Sequence, residues 1–228
     1  MNKVIEFLRM LRENNNKEWF AAHKGEYLAI LAKIEDFASA VITGIGEFDK
    51  SVRGLTVKDC TYRIYRDIRF SPDKRPYKTN IGIFICPGGK KSGYAGYYIH
   101  IEPSYTYDGI TCGGHFLFAG LHMPAPDILH SVREEICFNG EEFEENIRHA
   151  KGFTLSRTEM LKRVPTGFPA DSLFAEYLKL KTDIGIEMAI DDQTLMSRDF
   201  ANTVITRFAS AYPFVSQLNK AVTFALEE

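Results

Sequence analysis

The chain lacks most of the patterns that announce a known chemistry. It has 228 residues and four cysteines, Cys60, Cys86, Cys112 and Cys137, spread widely with no C-x-x-C pair. That spacing argues against a zinc ribbon and against a dithiol redox site, both of which need closely spaced thiols. Isolated thiols are usually small buried apolar groups, and a reduced, cytoplasmic setting is the expectation. No apolar run reaches the ~20 residues that span a bilayer. The N-terminal stretch is interrupted by Glu6 and Arg9, so it does not read as a secretion signal. No Gly-x-Ser-x-Gly elbow and no G-x-G-x-x-G after a strand occur, which argues against an α/β-hydrolase nucleophile and a dinucleotide fold. The glycine-rich stretch Pro87 to Gly93 carries Lys90 and Lys91 but fails the Walker pattern, so its glycines read as a hairpin turn. Lys90 and Lys91 could still touch a ligand. With no long polar tract and no fixed-period repeat, neither disorder nor a solenoid is expected.

What the chain does have is apolar and aromatic mass. Apolar residues make up 45%, with 17 phenylalanines and 11 tyrosines against one tryptophan. An aromatic-rich core is expected, in which buried tyrosine hydroxyls need partners. The length and the absence of a linker point to one domain over residues 1–228.

Periodicity orders the chain into helices, then strands, then helices. Val4, Ile5, Phe7, Leu8 and Leu11 predict a helix over 2–13. Asn14, Asn15 and Asn16 make a turn. A long second helix follows from Trp19 to about Gly46, with Trp19, Phe20, His23 and Tyr27 on its core side. Three strands are expected over 60–66, 78–86 and 96–102, with one or two more between Thr106 and Leu121. Short turns between them imply antiparallel pairing. Helices return at Pro126, at Glu141 to His149, at Pro169 to Leu178 and over 195–226, where Pro213 is expected to break or kink the run. Phe153 to Leu155 reads as a short strand, and Leu180 to Ile190 as a strand or an extended linker. The fold class is therefore α+β, an antiparallel sheet flanked by N- and C-terminal helices.

Charge is unevenly placed. Between Arg53 and Lys91 stand ten cations and three aspartates, a net of +7, so the rest carries −9 to reach the chain's −2. The densest part is Arg63 to Thr79. Arginine forks bind carboxylate or phosphate in two-point geometry, so Arg63, Arg66, Arg69, Lys74, Arg75 and Lys78 are candidate ligand-binding residues. The same residues could instead pair with Asp67, Asp73 or a distant glutamate.

Several segments resemble a known family. They are Asn14-Asn-Asn-Lys-Glu-Trp-Phe20, the long run from Tyr62 to Thr79, Gly96-Tyr-Tyr-Ile-His-Ile-Glu-Pro103, and Gly120 to Pro126 leading to Arg133. Together they resemble an uncharacterised family of bacterial and fungal proteins known only as a domain of unknown function. The resemblance spans most of the chain and implies an α+β domain. It brings no catalytic residues and no cofactor.

Acid–base chemistry has one candidate. Tyr98, His100 and Glu102 alternate on an expected strand, so all three face one side. A phenol, an imidazole and a carboxylate on one face can move protons, or can form a half-buried polar row. His100 and Glu102 are the catalytic candidates and Tyr98 a ligand contact. His115 and His122 could join them around a metal, but no H-E-x-x-H or H-x-x-x-H spacing supports that and no metal is expected. The leading expectation is a protein that binds a small anionic ligand, with enzymatic activity left open. The alternatives are a nucleic-acid-binding module, with Tyr62, Tyr65, Phe70 and Tyr77 as stacking faces, or a scaffold without an active site. No membrane partner is expected.

Overall fold

A computed structural model describes residues 1–227. Helix α1 (Asn2–Glu13) buries Val4, Ile5, Phe7, Leu8 and Leu11, the face its spacing predicts. Asn16 starts α2 (Lys17–Ala22) by accepting a hydrogen bond from the Trp19 amide at 2.8 Å. The expected long second helix is divided: α2 ends at His23, and α3 (Lys24–Phe48) begins beyond it. At His23 the ring stacks on Trp19, and its Nδ1 lies 2.8 Å from the Trp19 carbonyl. The side chain thus competes locally for a helix carbonyl, which favours a break there.

The segment expected as a first strand differs. Thr56 and Asp59 close a helical turn, α4 (Val57–Cys60), in which Asp59 accepts from the Thr56 amide and hydroxyl. Residues 61–66 then run extended with only two isolated bridges, Thr61 to Ile83 and Tyr65 to Tyr77. Pro76 has no amide proton to give to a ladder, which helps to explain why pairing there stays intermittent.

The remaining strands follow in order. They are β1 (Ile81–Ile85), β2 (Gly96–Ile101), the small hairpin β3 (Tyr105–Tyr107) and β4 (Ile110–Cys112), and β5 (His115–His122). Helix α5 (Pro126–His149) is interrupted at Asn139, where the two expected helices meet. After β6 (Thr154–Leu155), the helix expected from Pro169 shrinks to α6 (Ala175–Leu178). Leu180 to Ile190 resolves into a strand, β7 (Asp183–Ile190), then α7 (Asp192–Met196) and α8 (Phe200–Glu227). Pro213 lies inside α8 without ending it. The lost backbone bond is offset by packing, because Phe208, Ala211, Phe214 and Val215 around it are buried.

The main sheet is antiparallel with order β1-β2-β5-β7-β6. One face, carrying Ile83, Ile85, Tyr97, Ile99, Ile101, Leu117 and Ile186, is buried. Helix α8 packs on β5, and α3 and α5 pack on α8. Each large apolar side chain so buried contributes roughly 1.5–3 kcal/mol. Tyr97, fully buried, donates its hydroxyl proton to buried Asp49 at 2.9 Å. No buried side-chain nitrogen or oxygen among the described residues lacks a partner. Among those residues no helix is long and apolar enough to cross a membrane.

All four cysteines are free. Cys60 and Cys86 are buried, and burial pushes their thiols up to about 12 and about 11. An aromatic disulfide reagent at about pH 8 should therefore spare both in the folded protein, since the thiolate is the reactive form. Colour release is expected from Cys112 first, then Cys137, with the remaining two thiols appearing only in denaturant. Prompt reaction of all four in native buffer would contradict this packing.

Candidate functional site

The opposite face of the sheet borders a cavity that Ile128 of α5 also lines, and its register explains what stands there. Phe84, Tyr98, Phe118 and Glu187 pair in one row across β1, β2, β5 and β7. The next row sets Gly82, His100, Phe116 and Ala189 side by side. Period-two alternation sends these residues away from the buried Ile83, Tyr97, Ile99 and Leu117. Tyr62, Lys90, Gly93, Tyr94, Met123 to Ala125 and Thr158 border the same space. They enclose a cavity of about 660 Å³, within the size range of small-molecule sites.

The floor is aromatic and tightly fitted. The His100 ring stacks on Phe116 with centroids 4.6 Å apart. Gly82 is needed beneath Tyr98, because a Cβ there would stand 2.8 Å from the phenol oxygen. With no side chain at 82, the Tyr98 ring leans over β1 and its hydroxyl reaches His100.

Tyr98, His100 and Glu102 form a connected row. The Tyr98 hydroxyl is 3.0 Å from His100 Nδ1, and His100 Nε2 is 3.2 Å from Glu102 Oε2. The other Glu102 oxygen accepts from Arg12 at 3.0 Å and from Thr79 at 3.1 Å. Burial opposes ionisation of Glu102. Its hydrogen bond and charge contact with His100, together with Thr79 and Arg12, outweigh that and hold its pKa below the ordinary value. The carboxylate is therefore ionised near neutrality and accepts a hydrogen bond from His100 Nε2–H. In the tautomer that carries its proton on Nε2, Nδ1 is an acceptor for the Tyr98 O–H. Burial first, then Tyr62 and Glu102, pushes the Tyr98 phenol up to about 12, so it stays protonated.

Arg12 was not visible as a site residue in the sequence. It lies in the last turn of α1, forks between Glu102 and the Pro103 carbonyl, and covers the Tyr105 ring at 3.9 Å. The other histidines have partners of their own, and His122 also lines the cavity. His115 Nδ1 accepts from the Glu102 amide at 3.1 Å, which leaves its Nε2 proton for Asp192 at 3.0 Å. His122 meets Asp183 at 2.7 Å. No group of three metal-ligating side chains is gathered among the described residues.

The cationic residues divide into two sets. In the loop after residue 66, Arg66 and Arg75 both hold Asp73, at 2.6 and 2.8 Å, and Arg69 holds Asp67 at 2.6 Å. Lys74 donates to the Ile68 carbonyl at 3.1 Å. Bonding to Arg75, then to Arg66, drives the Asp73 pKa far below the carboxylate range. None of these residues, nor Arg63, lines the cavity; Lys78, Tyr98 and His100 do. Lys78 and Lys90 both lie within reach of one ring, 5.2 and 5.9 Å from the centre of Tyr62. Neither has a carboxylate partner among the described residues. Desolvation, then the charge of Arg63, lowers the Lys78 pKa. Lys90 is held by the Lys58 carbonyl.

The loop is anchored from the N-terminus. The Asn15 side chain donates to the Tyr77 carbonyl and accepts from the Tyr77 amide, both at 3.0 Å, and Phe20 stacks on the Tyr77 ring at 4.0 Å. The asparagine-rich turn and the cationic run are thus parts of one structural unit. Residues 3–216 match a family model described as conserved hypothetical protein (DUF2461). The chain belongs to this family. For a DUF2461 member, the match covers the anchor, the cationic loop and every wall of the cavity. No curated protein and no solved structure matches the chain.

Proposed function

We propose that the sheet-face cavity binds a small anionic ligand with an aromatic or other flat apolar body. The observation that carries this reading is the pair Lys78 and Lys90, two ammonium groups without carboxylate partners within salt-bridge distance among the described residues, on the wall of a cavity rich in aromatic rings. Phe84, Phe116 and Phe118 would hold the body. Lys78, from the cationic strand-loop, and Lys90 would meet a carboxylate or phosphate, which both bind as point charges. Arg66, Arg69 and Arg75 already have aspartate partners and would shape the loop. Reading the protein as cytoplasmic rests on its four free thiols.

Calorimetric titration with phenylpyruvate and with phenyl phosphate tests this. Saturable binding is expected, weakened about tenfold or more in Lys78→Gln, the scale of one charge-assisted contact. Undiminished binding in Lys78→Gln and Lys90→Gln would overturn the reading.

A second reading has one observation in its favour. Phe70 is 94% exposed, with Arg69 5.8 Å from its ring centre, and Tyr62 and Tyr65 are also exposed. Such a loop could stack on single-stranded nucleic acid. Binding of an oligonucleotide that collapses with added salt, without any response to the aryl anions, would favour it.

A further inference from the structure

We infer that the cavity is an acid–base catalytic centre in which the Tyr98 hydroxyl exchanges a proton with a bound carbonyl compound, backed by His100 and Glu102. This rests on the reading of the cavity as a ligand site and adds a reaction to it.

The geometry is that of a relay with a defined direction. Tyr98 and His100 both line the cavity, whereas Glu102 does not. The phenol oxygen is therefore the end of the row that a ligand meets. Glu102 sits behind, fixed by two further donors, Arg12 and Thr79. A carboxylate so held fixes the histidine tautomer and stabilises the imidazolium once it forms. Asn80 Nδ2 also approaches His100 Nδ1, but at 3.5 Å against 3.0 Å for the phenol. The phenol is the better-placed partner.

The wall chemistry narrows the reaction. No serine or cysteine side chain lines the cavity among the described residues. Thr158, also on the wall, shares a hydroxyl contact with Ser156 and has no neighbouring base in that contact. What the wall offers is the Tyr98–His100 relay and two cations, with the paired His122 and Asp183 and the carboxylate of Glu187 also on the wall. That combination suits loss and return of a proton next to a carbonyl. The C–H electron pair moves into a forming C=C bond, and the carbonyl oxygen takes the negative charge. The carbon-bound proton passes to Tyr98 Oη as the Tyr98 proton passes to His100 Nδ1. The products are an enolate, paired electrostatically with Lys78, and an imidazolium paired with Glu102. Reversal returns a proton to carbon, and nothing is oxidised or reduced. The substrate class is a 2-oxo acid or related enolisable carbonyl acid with an aromatic body. Its carboxylate suits the lysines, its ring suits Phe84, Phe116 and Phe118, and its acidic carbon faces the phenol.

Phenylpyruvate in D2O is the probe. Proton NMR follows loss of its C3 protons, and calorimetry measures its affinity separately. With wild-type protein, exchange is expected well above the buffer rate. Tyr98→Phe should retain affinity within about threefold and lose exchange by about 100-fold, the lower range for general acid–base catalysis. His100→Gln should also retain affinity and exchange poorly, a loss confined to the rate, as for a group acting through Tyr98. Binding without exchange in the wild type, or wild-type exchange in Tyr98→Phe, would overturn the relay and leave the binding site standing. Absence of any phenylpyruvate binding would overturn both.

Discussion

Arg133→Ala is expected to destabilise the protein by about 3 kcal/mol, since each hydrogen bond to a charged group contributes roughly 1.5–3 kcal/mol and the two here are coupled. The side chain comes from α5 and is only 9% exposed. Its Nε and one terminal nitrogen donate to the carbonyls of Leu178 and Leu180, each at 2.9 Å. Those carbonyls end α6 and lead toward β7, and both leucines are buried. Truncation leaves two carbonyls without donors where water does not readily reach, and removes the packed stem as well. At roughly 2–4 °C per kcal/mol for a chain of this size, the melting temperature should fall by about 6–12 °C. Arg133→Lys should recover part of this, because a single ammonium cannot reproduce the fork. A thermal scan of the three proteins checks it. A melting temperature unchanged in Arg133→Ala would mean that the turn before β7 is held by its own backbone bonds.

Asn15→Ala should cost about 2 kcal/mol, for two side chain-to-backbone bonds worth about 1 kcal/mol each. The asparagine amide stands in for a strand partner of Tyr77, whose ring is buried against Phe20. Lys78 is the next residue, and its own amide donates to the Ile64 carbonyl at 2.8 Å. Loosening Tyr77 therefore loosens one of the two cavity lysines. Affinity for phenyl phosphate should fall severalfold together with the lower melting temperature. Asn15→Asp separates the two contacts. It keeps the acceptor for the Tyr77 amide but sets an oxygen against the Tyr77 carbonyl, so it should be no more stable than Asn15→Ala. Denaturant unfolding of all three, with the midpoint compared at constant slope, measures this. A stable Asn15→Asp would show that only the amide contact matters.

Periodicity carried much of the fold. The apolar stripes of α1 and α3 and the alternation in β1 and β2 reflect burial on one side, which a sequence records directly. The segment over 60–66 was misleading. It is rich in strand-forming residues, yet the Thr56–Asp59 turn and Pro76 leave it only isolated bridges. Propensity describes a residue's preference, and here local bonding and one missing amide proton decided the outcome. Pro213 misled in the opposite direction, because the packing of α8 offsets the lost bond.

The site was legible in the same partial way. Alternation alone placed Tyr98, His100 and Glu102 on one face, and the structure joins them by hydrogen bonds. Arg12 was hidden because its bond to Glu102 bridges 90 positions of chain, and no local pattern encodes such a contact. The cationic run allowed both ion pairing and anion binding. Asp67 and Asp73 each take an arginine two residues away, at distances a sequence cannot supply. Lys78 differs from those arginines in having no aspartate beside it in the chain and in where the loop delivers it, on the cavity wall.

The most direct test of the account is a titration of isotope-labelled protein with phenylpyruvate, followed residue by residue in amide correlation spectra. The account predicts saturable shifts at Lys78, Phe84, Tyr98, His100, Phe116 and Phe118, the sheet-face wall. Shifts confined to residues 66–75, with the sheet face unmoved, would contradict it and return the anion site to the arginine loop.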